Sequence, residues 1–196
     1  MQKLFVTDLD VRGKRVLVRA DFNVPLQDGE ITDDRRIREC LPTIQWLMEN
    51  GARTILMSHL GRPGGERVDE YSLQPVAQHL GQLLRRDVPL ANDCIGPAAQ
   101  AKLPGLADGG VLLLENLRFH AGETANDPDF ADALASLGEI YVNDAFGTSH
   151  RSHASITGVA ERTGQCAMGY LLRKELDLLA GALQNPRRPF VAVMGG

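Results

Sequence analysis

Cationic side chains stand in four short motifs of this chain, and their types are those that bind anions. They are Arg36 in ITDDRRI, Arg62 in HLGRP, Arg118 and His120 in ENLRFH, and His150, Arg151 and His153 in SHRSH. Arginine offers planar, bidentate donors to a phosphate or a carboxylate, and lysine is absent from these motifs. Because the whole chain has a net charge of −4, such a concentration of cations predicts a site for a small anionic substrate.

Hydrogen-bonding side chains follow the predicted strands that precede these motifs. They are Asp21, Asn23, His59, Glu115, Asn116, Asn143 and Asp144. Ligands of an open α/β sheet bind outside the carboxyl ends of its strands, so the sequence predicts one polar rim there. Alternate residues of an extended segment face the same way, so Phe22 can enter the core while Asp21 and Asn23 reach the rim. Asp21 and Asn23 could equally be turn residues that bond to the local backbone.

A single arginine in a loop is more often a solvated charge or a surface ion pair, worth about 0 to 1 kcal/mol. Several arginines together are harder to explain in that way. Arg36 lies near the start of a predicted helix, where the positive end of the helix dipole disfavours a cation. Asp33 and Asp34 can offset that cost. This unfavourable placement favours a functional role for Arg36.

The remaining histidines and the cysteines indicate no metal site. His150 and His153 have a spacing compatible with metal ligation, but Arg151 lies between them and no third ligand is apparent. We expect His79, within AQHLGQ, to be structural. The three cysteines, Cys40, Cys94 and Cys166, form no C-x-x-C motif and are expected to be small buried hydrophobes.

The elements that must position these residues alternate between strands and helices. Short apolar runs predict strands at 15–20, 54–58, 110–116, 139–144 and 190–196, with a weaker candidate at 87–91. Helical spacing predicts helices at 34–49, 72–86, 128–137 and 170–184. The strands are continuously apolar, as expected when helices cover both faces of a parallel sheet. The sequence therefore predicts an open α/β sheet of five or six strands.

Three residues mark expected features of the helices. Ser72 can cap the second helix, and Gly138 can close the third. Pro42 lies inside the first helix, where it removes a hydrogen bond, so we expect a kink there.

Composition limits the class of protein. A chain of 196 residues, 43% hydrophobic and 23% charged, is typical of a soluble globular protein with one domain, or one domain and part of another. The negative net charge argues against a general nucleic-acid binder. No apolar run reaches the length of a membrane span, and the N-terminus lacks the apolar core of a signal peptide. We therefore expect a cytoplasmic protein without a nucleic-acid or membrane partner.

Motifs for a nucleotide are missing from this sequence. It contains no G-x-x-x-x-G-K-[ST], and no G-x-G-x-x-G follows a strand. The sequence ends at VMGG, where a glycine-rich turn and a helix would be expected to begin.

Six motifs in register resemble the successive signatures of the phosphoglycerate kinase family. They are VLVRADFNVP, ITDDRRI, SHLGRP, LLENLRFH, VNDAFGTSHRSHAS and RPFVAVMGG. The family has two Rossmann-like α/β domains, each a three-layer open parallel sheet flanked by helices, joined by a helix. The resemblance implies an N-terminal substrate-binding domain at 1–171, an interdomain helix and hinge at 172–189, and the first strand of a nucleotide-binding domain at 190–196.

The resemblance also implies an activity and its partners. The reaction is reversible phosphoryl transfer between 1,3-bisphosphoglycerate and ADP, giving 3-phosphoglycerate and ATP. Mg²⁺ with ATP or ADP would bind the second domain, with contacts from Gly195 and Gly196 at most in this chain. Family members are expected to be monomers. The alternative is a stand-alone module that binds a phosphorylated acid without catalysis.

Site residues carry over by the same resemblance. Asp21 and Asn23 would bond the hydroxyl side of 3-phosphoglycerate. Four residues would surround its phosphate, namely His59, Arg62, Arg118 and Arg151. Arg36 resembles the catalytic arginine that faces the carboxyl group and the phosphoryl group in transfer.

Overall fold

The computed structural model describes residues 4–184, Arg188 and Val191. Five parallel strands form its central sheet: β1 (Arg15–Arg19), β4 (Arg53–Met57), β5 (Val111–Leu113), β6 (Ile140–Asn143) and β7 (Cys166–Met168). A separate antiparallel pair consists of β2 (Leu26–Gln27) and β3 (Glu30–Ile31). The spatial order of the large sheet is β5-β4-β1-β6-β7. The predicted α/β class is therefore confirmed.

Helices cover both faces of this sheet. They are α1 (Arg35–Glu49), α2 (Gln74–Leu84), α3 (Gly96–Gln100), α4 (Ala121–Ala125), α5 (Pro128–Ala135), α6 (Val159–Arg162) and α7 (Tyr170–Gln184). Side chains of β1 alternate between two buried clusters, with Val16 and Val18 in the cluster that contains Ile44 of α1. Leu17 belongs to the cluster that contains Leu134 of α5. The fold thus has three layers, as the resemblance implied.

The strand predictions succeed where the apolar run is long. The predictions at 15–20, 54–58, 110–116 and 139–144 each overlap an observed strand almost completely or contain it. The weak candidate at 87–91 is wrong as a strand, since it contributes only a single bridge between Leu90 and Leu113. The prediction at 190–196 lies outside the described residues, apart from Val191. Strand β7 and the β2–β3 pair were not predicted, because segments this short contain no periodic pattern.

Helix ends differ from the predictions in informative ways. Helix α2 starts at Gln74, and the Ser72 hydroxyl accepts a bond of 3.2 Å from the Gln74 N–H. Helix α1 continues as one helix through Pro42. Helix α5 ends at Ala135, and the Gly138 N–H still donates to the Ala135 carbonyl at 3.2 Å. Gly138 is packed so closely that a Cβ there would lie 2.8 Å from the Leu17 Cβ.

The carboxyl ends of the central strands are level with one another. Arg19, the last residue of β1, is in register with Met57 of β4 and with Asn143 of β6. The chain runs outward from β1 to β4 and β5, then returns to the other side of β1 for β6 and β7. The segments that follow β1, β4 and β6 therefore start side by side at a topological switch point, where α/β proteins bind ligands.

None of the helices in the described part of the chain has the length and apolar character needed to cross a membrane. The three cysteines are free; Cys40 and Cys94 are buried as predicted, whereas Cys166 is only partly buried.

Candidate functional site

A cationic pocket opens at the carboxyl edge of the sheet, with a cavity volume of about 450 Å³. Its charged and titratable lining residues are Arg62, Arg118, His120, Arg151 and His153. Among the residues that the structure describes, no carboxylate lines this pocket. The arrangement leaves positive charge without a counter-charge at the pocket surface, which favours an anionic ligand.

Arg118 is the most constrained arginine of the cationic pocket. It lies in the 3-10 turn Leu117–Phe119 after β5 and is buried, and its Nη1 donates to the Gly61 carbonyl at 2.6 Å. Its Nε is buried without a hydrogen-bond partner in the described residues. Burial, followed by the charges of Arg151 and Arg19, lowers the pKa of Arg118. A bound anion would relieve both the charge repulsion and the missing hydrogen bond.

Asn116 holds the two segments that carry Arg62 and Arg118 against each other. Its side-chain amide donates to the Leu60 carbonyl at 2.7 Å and to the Tyr71 carbonyl at 2.9 Å. Its side-chain oxygen accepts from the Arg118 N–H at 3.0 Å. Asn116 was predicted to belong to the polar rim, but it is fully buried and bonds to backbone.

Glu115 also faces inward rather than into the rim. It is buried and accepts bonds of 2.8 Å from the Ser72 hydroxyl and from the Leu73 N–H. Glu115 therefore anchors the start of α2, because the first N–H groups of a helix have no partner within the helix.

Glycines bring the HLGRPGG segment close to the turn that carries Arg118. Gly61 and Gly65 have φ angles of +62° and +93°, which glycine adopts readily. A Cβ at Gly61 would lie 2.4 Å from the Tyr71 ring, and one at Gly65 would lie 2.9 Å from the Ala121 side chain. Neither glycine was predicted as a site residue, although the G-x-x-G-G spacing was a signal for a tight loop.

Arg36 lies at a different cavity from the other arginines. Its Nη1 is 2.6 Å from Asp21 Oδ2, and both residues line a smaller cavity of about 200 Å³ with Glu39, Gly147 and Glu175. The Arg36 side chain is 52% exposed and that of Asp21 only 11%. Arg36 is thus oriented by a carboxylate, whereas no carboxylate of the described residues pairs with an arginine of the cationic pocket.

Asn23 joins the segments after β1 and β4. Its side-chain oxygen accepts from the Gly61 N–H at 2.9 Å, and its own N–H donates to Asp21 Oδ1 at 3.3 Å. The turn alternative and the site prediction are therefore compatible, since Asp21 makes the local backbone bond through Oδ1 and meets Arg36 through Oδ2. Phe22, between them, is fully buried as predicted.

His59 is buried and faces a second buried cation, Arg19, which was not predicted as a site residue. Its Nδ1 lies 3.1 Å from Nη2 of Arg19, the last residue of β1. Burial lowers the pKa of His59 far below its ordinary value, and the charges of Arg19 and Arg118 lower it further. His59 is therefore neutral. A charged residue inside an otherwise apolar strand was the available signal for Arg19.

Glu123 of α4 supplies negative charge beneath the cationic pocket. It is fully buried and accepts from the Ser155 hydroxyl at 2.6 Å and from the Ser155 N–H at 3.0 Å. The Ser155 hydroxyl in turn accepts from Arg19 Nε at 2.8 Å, and His153 Nδ1 lies 3.5 Å from Glu123 Oε1. Although burial raises it, the pKa of Glu123 is held below its ordinary value by His153 and Arg19. No periodic or motif signal pointed to this residue.

The histidines of the SHRSH motif do not converge. His150 is exposed, whereas His153 lines the cationic pocket. A different group, Asp93, Cys94 and His120, places three donor atoms within 4.8 Å of one another. Its histidine and aspartate already bond to each other at 2.7 Å, and burial raises the pKa of the Cys94 thiol. A protonated thiol is a poor metal ligand.

Asn143, the last residue of β6, and Asp144, which follows it, have structural partners. Asn143 bonds to the Ala145 N–H at 3.0 Å. Asp144 is buried, and its Oδ1 accepts from the N–H groups of Leu171 and Leu172 at 2.9 and 3.1 Å. Burial raises the pKa of Asp144 to about 6. Asp144 therefore fixes the start of α7 and lies outside the cationic pocket.

Comparisons with known proteins agree on one family. The family model described as "Phosphoglycerate kinase" matches residues 6–196. The phosphoglycerate kinases of Chlorobium limicola and Moorella thermoacetica are 56% and 57% identical to the whole of this chain, which covers 50% of each relative. The chain thus spans about half the length of the curated relatives that it matches.

Solved structures give the same result. The phosphoglycerate kinase of Coxiella burnetii has 42% sequence identity and a TM-score of 0.86 over 96% of this chain and 47% of the other. The enzyme from Pyrococcus horikoshii has 34% identity and a TM-score of 0.87 over 95% of this chain, again matching 47% of the other.

Proposed function

The chain belongs to the phosphoglycerate kinase family, and from this membership we propose that it is the phosphoglycerate-binding half of that enzyme. The reaction would be reversible transfer of a phosphoryl group between 1,3-bisphosphoglycerate and ADP. The observation that carries the proposal is the cationic pocket, where Arg62, Arg118 and Arg151 meet without a carboxylate among the described lining residues. That charge pattern is suited to a phosphate group.

Arg62, Arg118 and Arg151 would hold the phosphate of 3-phosphoglycerate. Arg118 is restrained by its bond to Gly61, and its free Nε offers one further donor. His59 would add a hydrogen bond from behind. These contacts would be made in the ground state and in the transition state alike, so they would anchor the substrate rather than accelerate the reaction.

Asp21, Asn23 and Arg36 would act at the other end of the substrate. Asp21 and Asn23 would bond its hydroxyl side. Arg36, already oriented by Asp21 at 2.6 Å, would face the carboxyl group and the phosphoryl group in transfer. Phosphoryl transfer needs precise positioning and neutralisation of negative charge that spreads over the oxygens, and a fixed guanidinium provides both.

Mg²⁺ and ATP or ADP would be bound elsewhere in the longer enzyme. Mg²⁺ requires oxygen ligands, whereas the cationic pocket presents nitrogen donors. We propose that residues 1–171 form the substrate-binding domain, 172–189 the interdomain helix and hinge, and 190–196 the first strand of a nucleotide-binding domain. The candidate nucleotide contacts Gly195 and Gly196 lie outside the described residues.

Calorimetry with 3-phosphoglycerate on the 196-residue chain tests this proposal. We expect binding without nucleotide, weakening as added salt screens the partly exposed cations. Arg151→Gln should weaken binding about tenfold or more, by removing one charge-assisted contact. The matched control is Arg12→Gln, an exposed arginine beyond the opposite edge of the sheet, with the same change in net charge. Equal effects of both variants, or binding indifferent to salt, would overturn the assignment of the pocket.

A coupled kinase assay separates the enzyme half from a stand-alone binding module. We propose that the 196-residue chain binds 3-phosphoglycerate and does not turn it over with MgATP. The two-domain enzyme with the same N-terminal residues should turn it over. If that longer enzyme also lacked turnover, the binding module would be the correct description.

A further inference from the structure

We propose that Arg19 is a positioning residue that keeps the proton of His59 on Nε2, so that His59 meets the bound anion as a neutral hydrogen-bond donor. The part about the anion rests on the proposed function. The position of the proton on His59 rests only on the hydrogen bonds that link His59 to Arg19 and Arg19 to Ser155.

The hydrogen-bonding chemistry of arginine determines the tautomer. A guanidinium has only donors, so the contact of 3.1 Å between Arg19 Nη2 and His59 Nδ1 requires Nδ1 to accept. A neutral imidazole whose Nδ1 accepts carries its proton on Nε2. Within residues 4–184, His59 Nε2 makes no hydrogen bond. His59 is buried and is not one of the lining residues of the cationic pocket, so this N–H would reach an anion from beneath the lining side chains.

Arg19 is held too firmly to release His59. Its Nε donates to the Ser155 hydroxyl at 2.8 Å, and its Nη1 donates to the Ala20 carbonyl. Ser155 is itself bonded to the buried carboxylate of Glu123, which supplies the counter-charge. Each edge of the planar guanidinium therefore has an assigned partner, and the edge that faces His59 cannot turn away.

The surroundings of His59 exclude its charged form. Three elements bring cations towards the ring: β1 with Arg19, the turn after β5 with Arg118, and the segment after β6 with Arg151 and His153. An imidazolium would add a further positive charge to this buried group. A neutral donor avoids that repulsion and keeps the same hydrogen-bonding capacity throughout the physiological pH range.

Nuclear magnetic resonance of the ¹⁵N-labelled chain tests the tautomer directly, with no ligand present. Long-range proton–nitrogen correlations should show His59 with Nε2 protonated and Nδ1 unprotonated, unchanged from about pH 8 to about pH 5, where ordinary histidines titrate. A His59→Gln spectrum assigns the signals by their loss. Titration of His59 in this range, or a proton on Nδ1, would overturn the proposal.

Substitution of Arg19 tests its role as the positioning residue. Arg19→Met keeps much of the side-chain volume and removes every donor. In that variant His59 should populate both tautomers or begin to titrate, whereas an unchanged His59 spectrum would show that Arg19 does not fix the proton. If Arg19→Met fails to fold, Arg19→Lys takes its place with the same two outcomes, because lysine keeps the buried charge and is one bond too short to reach His59 Nδ1 as Nη2 does.

Replacing His59 by glutamine or by asparagine shows which ring nitrogen forms the hydrogen bond to the anion. The amide nitrogen of glutamine can occupy the place of Nε2, and that of asparagine the place of Nδ1. His59→Gln should bind 3-phosphoglycerate about tenfold more tightly than His59→Asn, the effect of one hydrogen bond to a charged group. Equal affinities would overturn the donor role of Nε2. If the parent chain does not bind 3-phosphoglycerate at all, the proposed function is wrong. The nuclear magnetic resonance experiment still tests the tautomer, because it requires no ligand.

Discussion

The arginines of the candidate site fall into two kinds according to what holds them. Arg36 forms an ion pair of 2.6 Å with Asp21 and is about half exposed. Because solvent screens the half-exposed Arg36, the pair contributes only about 0 to 1 kcal/mol to folding, and its main effect is on orientation. Arg118 is buried and has a donor without a partner among the described residues. A guanidinium held in one orientation can contact a reacting group in a fixed geometry. A buried guanidinium with an unused N–H donor can bind an anion tightly.

This difference predicts separate kinetic effects in the two-domain enzyme. Arg36→Ala should lower kcat by about 10² to 10³, the usual effect of losing a preorganised donor to the transition state. Arg62→Ala should mainly raise KM, because it removes binding that ground and transition states share. Arg36→Lys should recover little activity, since it keeps the charge and loses the planar fork. A kcat within a few-fold of the parent for Arg36→Ala would remove Arg36 from the catalytic residues.

Asp144 predicts a pH dependence of stability. Its folded pKa of about 6 lies above its ordinary value near 3.8, so the folded protein binds the proton more tightly than the unfolded chain. This contribution to stability is complete below the unfolded pKa and is lost as the pH rises through about 6. Relative to Asp144→Asn, which cannot ionise, the parent should gain about 1.3 kcal/mol of unfolding free energy between about pH 7 and pH 5.

Urea denaturation of both proteins at the two pH values gives this difference. Comparing the two proteins cancels the titration of all other groups. A difference that does not change with pH would mean that Asp144 keeps an ordinary pKa.

At the scale of elements, the start of α7 depends on side chains from two other elements. The Tyr170 N–H donates to the Thr43 hydroxyl of α1 at 2.9 Å, and Asp144 accepts from the next two N–H groups. Gly169 precedes the helix, and a Cβ there would lie 2.3 Å from Asp144 Oδ1. The helix can approach the end of β6 this closely only because residue 169 has no side chain.

Substitution of two glycines should therefore have opposite effects. Gly169→Ala should destabilise the chain by about 1 to 3 kcal/mol, because the Asp144 carboxylate must shift. Gly181→Ala, in the same helix, meets no atom within 4 Å and should stabilise by about 0.5 to 1 kcal/mol through helix propensity. Urea denaturation measures both. Equal effects of the two alanines would show that the contact at Gly169 does not constrain α7.

The sequence predicted long elements and motif residues better than it predicted short elements and buried polar groups. Strands such as 15–20 contain enough apolar residues to be found from pattern, and Asp21, Asn23 and Arg36 stand in recognisable motifs. Strand β7 has three residues, too few for periodicity. Glu115 and Asn116 were predicted to lie at the polar rim because they end the predicted strand at 110–116. Only the fold shows that their side chains turn inward to backbone partners.

At the scale of the whole molecule, the two hydrophobic clusters share one sheet. Strand β1 contributes Val16 and Val18 to one cluster and Leu17 to the other. Neither face can lose its helices without exposing the apolar side of the same central strands. The described part of the chain therefore has the architecture of one cooperative unit.

The 196-residue chain should accordingly unfold in a single transition. Trp46 of α1 packs against the first cluster and reports on one face by fluorescence. Far-UV circular dichroism reports on helices of both faces. We expect the two urea curves to coincide, with the same midpoint and slope. Separate midpoints would show that the faces unfold independently.

The order of the strands also has a consequence during synthesis on the ribosome. The central strand β1 is paired on one side once β4 is complete at Met57, but its other side waits for β6, complete at Asn143. At about 5 to 20 residues per second, those roughly 90 residues take on the order of 4 to 18 seconds to synthesise. Throughout that interval the nascent chain has an unpaired edge on its central strand, where another chain could pair. Until β6 is made, the ribosome and chaperones rather than the sheet itself would have to keep the free edge of β1 from pairing with another chain.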